Sequence, residues 1–119
     1  MGFTAKETGY ELTVIFKGVS LDKINNYPLL KETSLELLKR AGFTVLSDNE
    51  HIFTPQGYTF IALLAESHFA VHTYPEYNTI YFHLYSCGDK EETDILGGLK
   101  ETFSPIDVIV RKEPVQVKF

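Results

Sequence analysis

The side chains able to do chemistry are few: Ser67 in the dipeptide Glu66-Ser67, Cys87 beside Gly88, and the histidines His51, His68, His72 and His83. Each admits an ordinary structural explanation by itself. Cys87 alone reads more often as a small buried hydrophobe than as an acid or nucleophile. His72 on a strand reads as a hydrogen-bonded core or interface histidine. His68 and His72 are four positions apart, which on a helix would make a metal pair. On a strand their side chains lie about 13 Å apart, so no metal site is expected. The single cysteine excludes an intramolecular disulfide and a cysteine-rich zinc site within one chain. The sequence holds no Gly-rich phosphate loop, no nucleotide-binding fingerprint and no Gly-x-Ser-x-Gly elbow.

These residues fall on elements that the hydrophobic periodicity outlines. Tyr10 to Lys17 alternates, with Tyr10, Leu12, Val14 and Phe16 on one face, and predicts a strand. Pro28 suits the first turn of a helix running to about Arg40, with Gly42 in the position of a C-terminal glycine. Phe43 to Leu46 and His51 to Phe53 are short strand candidates around a turn at Ser47-Asp48-Asn49, and Pro55-Gln56-Gly57 is a second turn. Tyr58 to Ala65 is nearly all apolar, as for a strand buried on both sides. Phe69 to Tyr74 and Thr79 to Ser86 are strands joined by Pro75-Glu76-Tyr77-Asn78. A second helix covers roughly Glu91 to Phe103, with Ile95, Leu96 and Leu99 inward and weakened by Gly97-Gly98. A last strand runs from Ile106 to Arg111.

This order predicts an α+β two-layer sandwich, a largely antiparallel sheet with two helices on one face. The period of two puts Ile80, Phe82 and Leu84 under the helices and turns Tyr81, His83, Tyr85 and Cys87 the opposite way, with His68, Ala70, His72 and Tyr74 beside them. A face carrying imidazole, phenol and thiol groups suits a site, a dimer interface, or both.

Composition narrows the class. The 119 residues fit one domain, and the 44% apolar content is enough for a core at that size. The net charge of −5 argues against nucleic acid, which demands clustered Lys and Arg. The longest apolar run, Phe60 to Ala65, cannot span a membrane, and Lys6, Glu7 and Glu11 occupy the place of a signal-peptide core. A soluble cytoplasmic protein is the expectation.

The combination of residues is more specific than any one of them. Ala65-Glu66-Ser67-His68-Phe69-Ala70-Val71-His72-Thr73-Tyr74-Pro75-Glu76, followed by Ser86-Cys87-Gly88-Asp89, closely resembles the short prokaryotic S-adenosylmethionine decarboxylase proenzymes. Those carry E-S-H-x-x-x-H-T-[WY]-P-E and, a strand later, T-C-G. The resemblance extends upstream through His51-x-Phe53-x-Pro55-x-Gly57, and the length suits a whole member of the family.

The resemblance implies a self-processing, pyruvoyl-dependent carboxy-lyase of spermidine biosynthesis. Ser67 would attack the Glu66 carbonyl in an N-to-O acyl shift, and elimination and hydrolysis would leave residues 1–66 and a second chain, 67–119, beginning with a pyruvoyl group. That carbonyl, through a Schiff base with the substrate amine, is the electron sink that decarboxylation needs. By the same resemblance His72 is the processing base, Thr59 supports processing in place of the usual serine, and Cys87 reprotonates the product carbon. Phe53 would stack on adenine and Glu76 would hold ribose hydroxyls. The family fold buries the helix-free faces of two processed protomers in a homodimer.

Three stretches depart from the family pattern. Gly9-Tyr10-Glu11-Leu12 stands for Gly-x-His-Leu, His83 for an aspartate, and Tyr58-Thr59-Phe60 for Val-Ser-Gly. They spare the cleavage residues and fall where a substrate pocket is shaped. Relatives with this machinery act on ornithine or arginine, whose distal cation a carboxylate such as Glu11 or Glu76 would meet. An inactive regulatory homologue is a third possibility, against which the intact Ser67, His72 and Cys87 argue.

Overall fold

The computed structural model describes residues 8–88 and 90–117, so Lys6, Glu7 and Asp89 lie outside the described residues. The elements are β1 (Thr8–Lys17), α1 (Leu21–Ile24), α2 (Tyr27–Arg40), β2 (Val45–Ile52), β3 (Tyr58–Leu64), β4 (Ser67–Tyr74), a 3-10 turn (Pro75–Tyr77), β5 (Thr79–Ser86), α3 (Thr93–Phe103) and β6 (Asp107–Gln116). The strands form one sheet in the order β2-β3-β4-β5-β1-β6, with every neighbouring pair antiparallel. This is the α+β layering expected from the sequence.

Alternation decides which face is covered. Tyr10, Leu12, Val14 and Phe16 of β1 are buried with Ile80, Phe82 and Leu84 of β5, against Leu30, Leu37 and Leu38 of α2 and Ile95, Leu99 and Phe103 of α3. Phe16 and Phe82 meet edge to face at 4.9 Å. Each fully buried Phe or Leu contributes about 1.5–3 kcal/mol. The Asn26 side chain caps α2 by accepting from the Leu29 N–H, and Gly42 follows its end at φ +94°. Gly98 weakens α3 as a helix former but lets it approach α2, because a Cβ there would sit 2.4 Å from Leu37 Cδ2.

Four expectations are corrected. Ser47-Asp48-Asn49 is not a turn: β2 is one continuous strand through it, paired to β3. As an edge strand with nearly every residue exposed, it shows no apolar alternation to read. Next, β3 is not buried on both sides. Tyr58, Phe60, Ala62 and Leu64 are buried, whereas Ile61 and Leu63 are 47% and 52% exposed on the helix-free face. A third, four-residue helix, α1, precedes α2 and is too short to show periodicity. Finally, β6 continues past Arg111 to Gln116, where Pro114 is tolerated because its strand is an edge.

Candidate active site

The chemistry-bearing residues gather at two ends of the sheet. At one end, β3 and β4 form a hairpin whose turn is Ala65-Glu66, with Leu64 and Ser67 as the last paired residues. Glu66 has φ +55°, a left-handed conformation that costs a residue with a Cβ about 1–2 kcal/mol. Strain is therefore stored beside the Glu66-Ser67 bond.

Ser67 is buried, and its hydroxyl oxygen accepts a hydrogen bond of 3.0 Å from the Cys87 N–H. Two neighbours on β1 set that backbone. A Cβ on Gly9 would lie 2.2 Å from the Ser86 carbonyl oxygen, so only glycine fits beside it. The Tyr10 hydroxyl donates to the Lys90 carbonyl at 2.7 Å and ties down the segment after Cys87.

Cys87 follows Tyr85, which stacks on His68 at 5.7 Å, and His68 in turn stacks on His83 at 5.7 Å. Burial raises the Tyr85 phenol above its ordinary pKa, and charge on Cys87, Glu11 and Glu66 adds to the shift. That places each of these groups within electrostatic reach of the Tyr85 phenol. His68 is pushed below its ordinary value by burial and then by His83.

At the other end, Thr59 and His72 are direct cross-strand neighbours. The Thr59 hydroxyl and His72 Nδ1 share a hydrogen bond of 2.9 Å, whose direction follows the imidazole tautomer. Burial lowers the His72 pKa, which favours the neutral ring able to accept a proton. Thr59 and His72 line an open cleft of about 350 Å³ together with Phe53, Gln56, Gly57, Thr73, Tyr74 and Glu76.

The two clusters do not meet within one chain. His72 is five positions beyond Ser67 along β4, which at about 3.3 Å per residue is roughly 17 Å. Ser67 also points to the helix side, among the buried positions of β4, while His72 belongs to the opposite face. The sequence reading placed Phe53, Thr59, His72 and Glu76 in one functional set with Ser67 and Cys87. The structure joins the first four around the cleft and the last two at the turn.

Gln56 and Tyr74 join the cleft without having been singled out, although Pro55-Gln56-Gly57 is legible as a turn next to Phe53. Gly9 carries no sequence signal for its contact with Ser86, which exists only once β1 and β5 pair. Among the described residues, no group of three or more His, Cys, Asp or Glu side chains could hold a metal ion. No helix there is long and apolar enough to cross a membrane.

Comparison with known proteins gives the family. The S-adenosylmethionine decarboxylase family profile matches residues 10–114. A relative from Persephonella marina named S-adenosylmethionine decarboxylase proenzyme is 38% identical over 88 residues, 74% of this chain and 66% of the relative. A relative of the same name from Acidithiobacillus ferrooxidans is 30% identical over 82% of this chain and 74% of its own length. The matched segment thus spans just under two thirds of the Persephonella relative. The crystal structure of the adenosylmethionine decarboxylase from Aquifex aeolicus superposes with a TM-score of 0.85 at 26% identity, covering 97% of this chain and 96% of that one. A profile match over nearly the whole chain, with a fold and a serine-bearing turn to go with it, places this chain in the S-adenosylmethionine decarboxylase family.

Proposed function

We propose that this chain is a pyruvoyl-dependent S-adenosylmethionine decarboxylase that first cleaves itself between Glu66 and Ser67. The observation that carries the substrate reading is the cleft in which Phe53 and Glu76 flank the Thr59–His72 pair. Phe53 is 48% exposed there, with the His51 ring against it edge to face at 4.5 Å, and offers aromatic surface to an adenine, while the Glu76 carboxylate offers acceptors to ribose hydroxyls. Relatives named as S-adenosylmethionine decarboxylase proenzymes support the same reading.

The turn supports the processing step. The Ser67 hydroxyl is held by the Cys87 N–H next to a strained Glu66. Attack of Oγ on the Glu66 carbonyl forms the ester C–O bond as the C–N bond breaks, and the freed amine takes up a proton. Loss of the Ser67 Cα proton then expels Glu66 as a carboxylate. The residual enamine tautomerises and is hydrolysed by water, with release of ammonia, to leave a pyruvoyl group. These residues fit a group made from Ser67, since the serine β-oxygen supplies both the nucleophile and the leaving group of a step that ends in pyruvate. That group would supply the electron sink for loss of CO₂. Cys87, beside it, would return a proton to the product carbon.

Processing also needs a base, and His72 with Thr59 is about 17 Å from Ser67 in its own chain. We therefore propose a homodimer in which two helix-free faces meet about a two-fold axis. Each then lays its Thr59–His72 end, with Phe53 and Glu76, over the Ser67–Cys87 end of the other. The exposed Ile61 and Leu63 and the half-buried rings of Tyr81, His83 and Tyr85 give that face apolar area to bury.

One observation favours a second substrate class. Glu11 pairs across the strands with Tyr85, two positions before Cys87, and has His83 Nε2 at 3.8 Å, so a carboxylate stands toward the cleavage end to meet the distal cation of ornithine or arginine. Release of CO₂ from S-adenosylmethionine, ornithine and arginine by fully processed protein separates the two. Release from S-adenosylmethionine at saturation supports the proposal, whereas release only from a basic amino acid overturns its substrate.

A further inference from the structure

Beneath the cleft, α2 reaches the turn that carries Phe53. The Tyr27 hydroxyl accepts a hydrogen bond of 3.1 Å from the Gly57 N–H. Its ring stacks on Tyr58 with centroids 4.7 Å apart and planes 9° from parallel. One turn along α2, the Lys31 ammonium donates to Glu50 Oε2 at 2.8 Å, and Glu50 Oε1 accepts from the Tyr58 hydroxyl at 2.7 Å. Tyr27 and Lys31, four apart on one helix face, thus grip the β2–β3 hairpin at two points.

Gly57 is the hinge of that hairpin's turn. Its carbonyl accepts from the Phe53 N–H at 2.9 Å, and its φ of +112° is one that glycine alone adopts readily. A Cβ on it would be 3.6 Å from Phe53 Cβ, so the glycine backbone and the phenylalanine side chain are in near contact. Gly57 is buried, and its N–H has Tyr27 as acceptor. Without that oxygen a buried donor loses its hydrogen bond, and the turn must reorient or admit water. Phe53 moves with it.

We infer that Tyr27 is a positioning residue for the substrate: through Gly57 it sets the pose of the Phe53 ring, and so the affinity of the cleft for an adenine-bearing substrate. The inference rests on reading the cleft as the nucleoside-binding half of the site. Tyr27 itself touches no reacting atom. Tyr27→Phe keeps the stack on Tyr58 and removes only the acceptor, so the packing of the hairpin stays and the turn's anchor goes.

The test is a double-mutant cycle on processed enzyme, with KM and kcat measured for S-adenosylmethionine. Tyr27→Phe raises KM by about two- to tenfold, the worth of one neutral hydrogen bond, with kcat and the rate of self-cleavage kept. In a Phe53→Ala background the same substitution adds nothing, because the ring it positions is gone. Tyr58→Phe serves as the control for general loosening. It loses the bond to Glu50 from the same hairpin and leaves KM unchanged while lowering the melting temperature. Additive effects in the cycle, an unchanged KM in Tyr27→Phe, or an equal KM rise in Tyr58→Phe would each overturn the inference. The reading of the cleft fails separately, and takes the inference with it, if Phe53→Ala alone keeps the wild-type KM.

Discussion

Replacing Gly9 by alanine tests how tightly the cleavage turn is built. Gly9 sits in extended backbone within β1, so its conformation does not demand glycine, but its surroundings do. An added Cβ would lie 2.2 Å from the Ser86 carbonyl oxygen and 3.2 Å from Cys87 Cα, both backbone atoms. Contacts below 3.0 Å do not persist, so the strands must part by at least 0.8 Å, the difference of 3.0 and 2.2. The segment that moves carries the Cys87 N–H, now 3.0 Å from Ser67 Oγ. A displacement of that size along the bond takes it to about 3.8 Å, beyond hydrogen-bonding range. Overpacking of this kind costs about 1–3 kcal/mol of stability. A nucleophile misplaced by roughly 1 Å loses on the order of 100-fold in rate. Gly9→Ala should therefore melt several degrees lower and cleave about 100-fold more slowly, followed as appearance of the 67–119 fragment on a denaturing gel. Cleavage at the wild-type rate would refute the claim that Gly9 shapes the turn.

Other perturbations separate the steps. Cys87→Ala should still cleave, because its N–H remains to hold Ser67, while decarboxylation by the processed enzyme falls by about 10²- to 10⁴-fold. Near-normal sustained turnover would assign the proton to another group. Burial holds His72 below its ordinary 6.5, so the ring is neutral near pH 7 and the cleavage rate should be flat there. The rate then falls on acidification with a midpoint below 6.5, and a midpoint above that value would contradict a buried His72 base. The same depression at His68 and His72 makes the unfolded chain bind more protons between 6.5 and the folded values. Stability is then full above 6.5 and is lost as pH falls through that window, a slope that His68→Asn should reduce in chemical denaturation across pH.

What could be read from the chain and what could not follow from where each signal lives. Phe16, Phe82 and Leu84 announced the buried face because the sheet's period of two is written directly in the order of residues. The same parity put His72 and Cys87 on the helix-free face. It did not reveal that Ser67 is paired to Leu64 at one end and His72 to Thr59 near the other, since register belongs to strand pairing. Edge strands misled for a related reason. Asp48 and Glu50 of β2 answer to Lys31 on α2 and to solvent, and Lys112 of β6 answers to Glu92 and the Tyr10 ring, so none shows an apolar rhythm. The apolar Ile61 and Leu63 looked like core and lie exposed, because an unbroken apolar run does not say that only one face of its strand is covered by helices. The contacts of Gly9 and Tyr27 could not be read because they are made at separations of 77 and 30 positions (9 to 86, 27 to 57).

The central claim is that the strained Glu66-Ser67 turn breaks itself and leaves a pyruvoyl group on the new chain. Intact mass spectrometry of purified protein held at neutral pH tests it most directly. Two species are expected, residues 1–66 and residues 67–119, the second without a free amino terminus and reactive toward a carbonyl reagent, while Ser67→Ala stays as one chain. A wild-type protein found only at the mass of the full 119 residues after prolonged incubation would contradict the account.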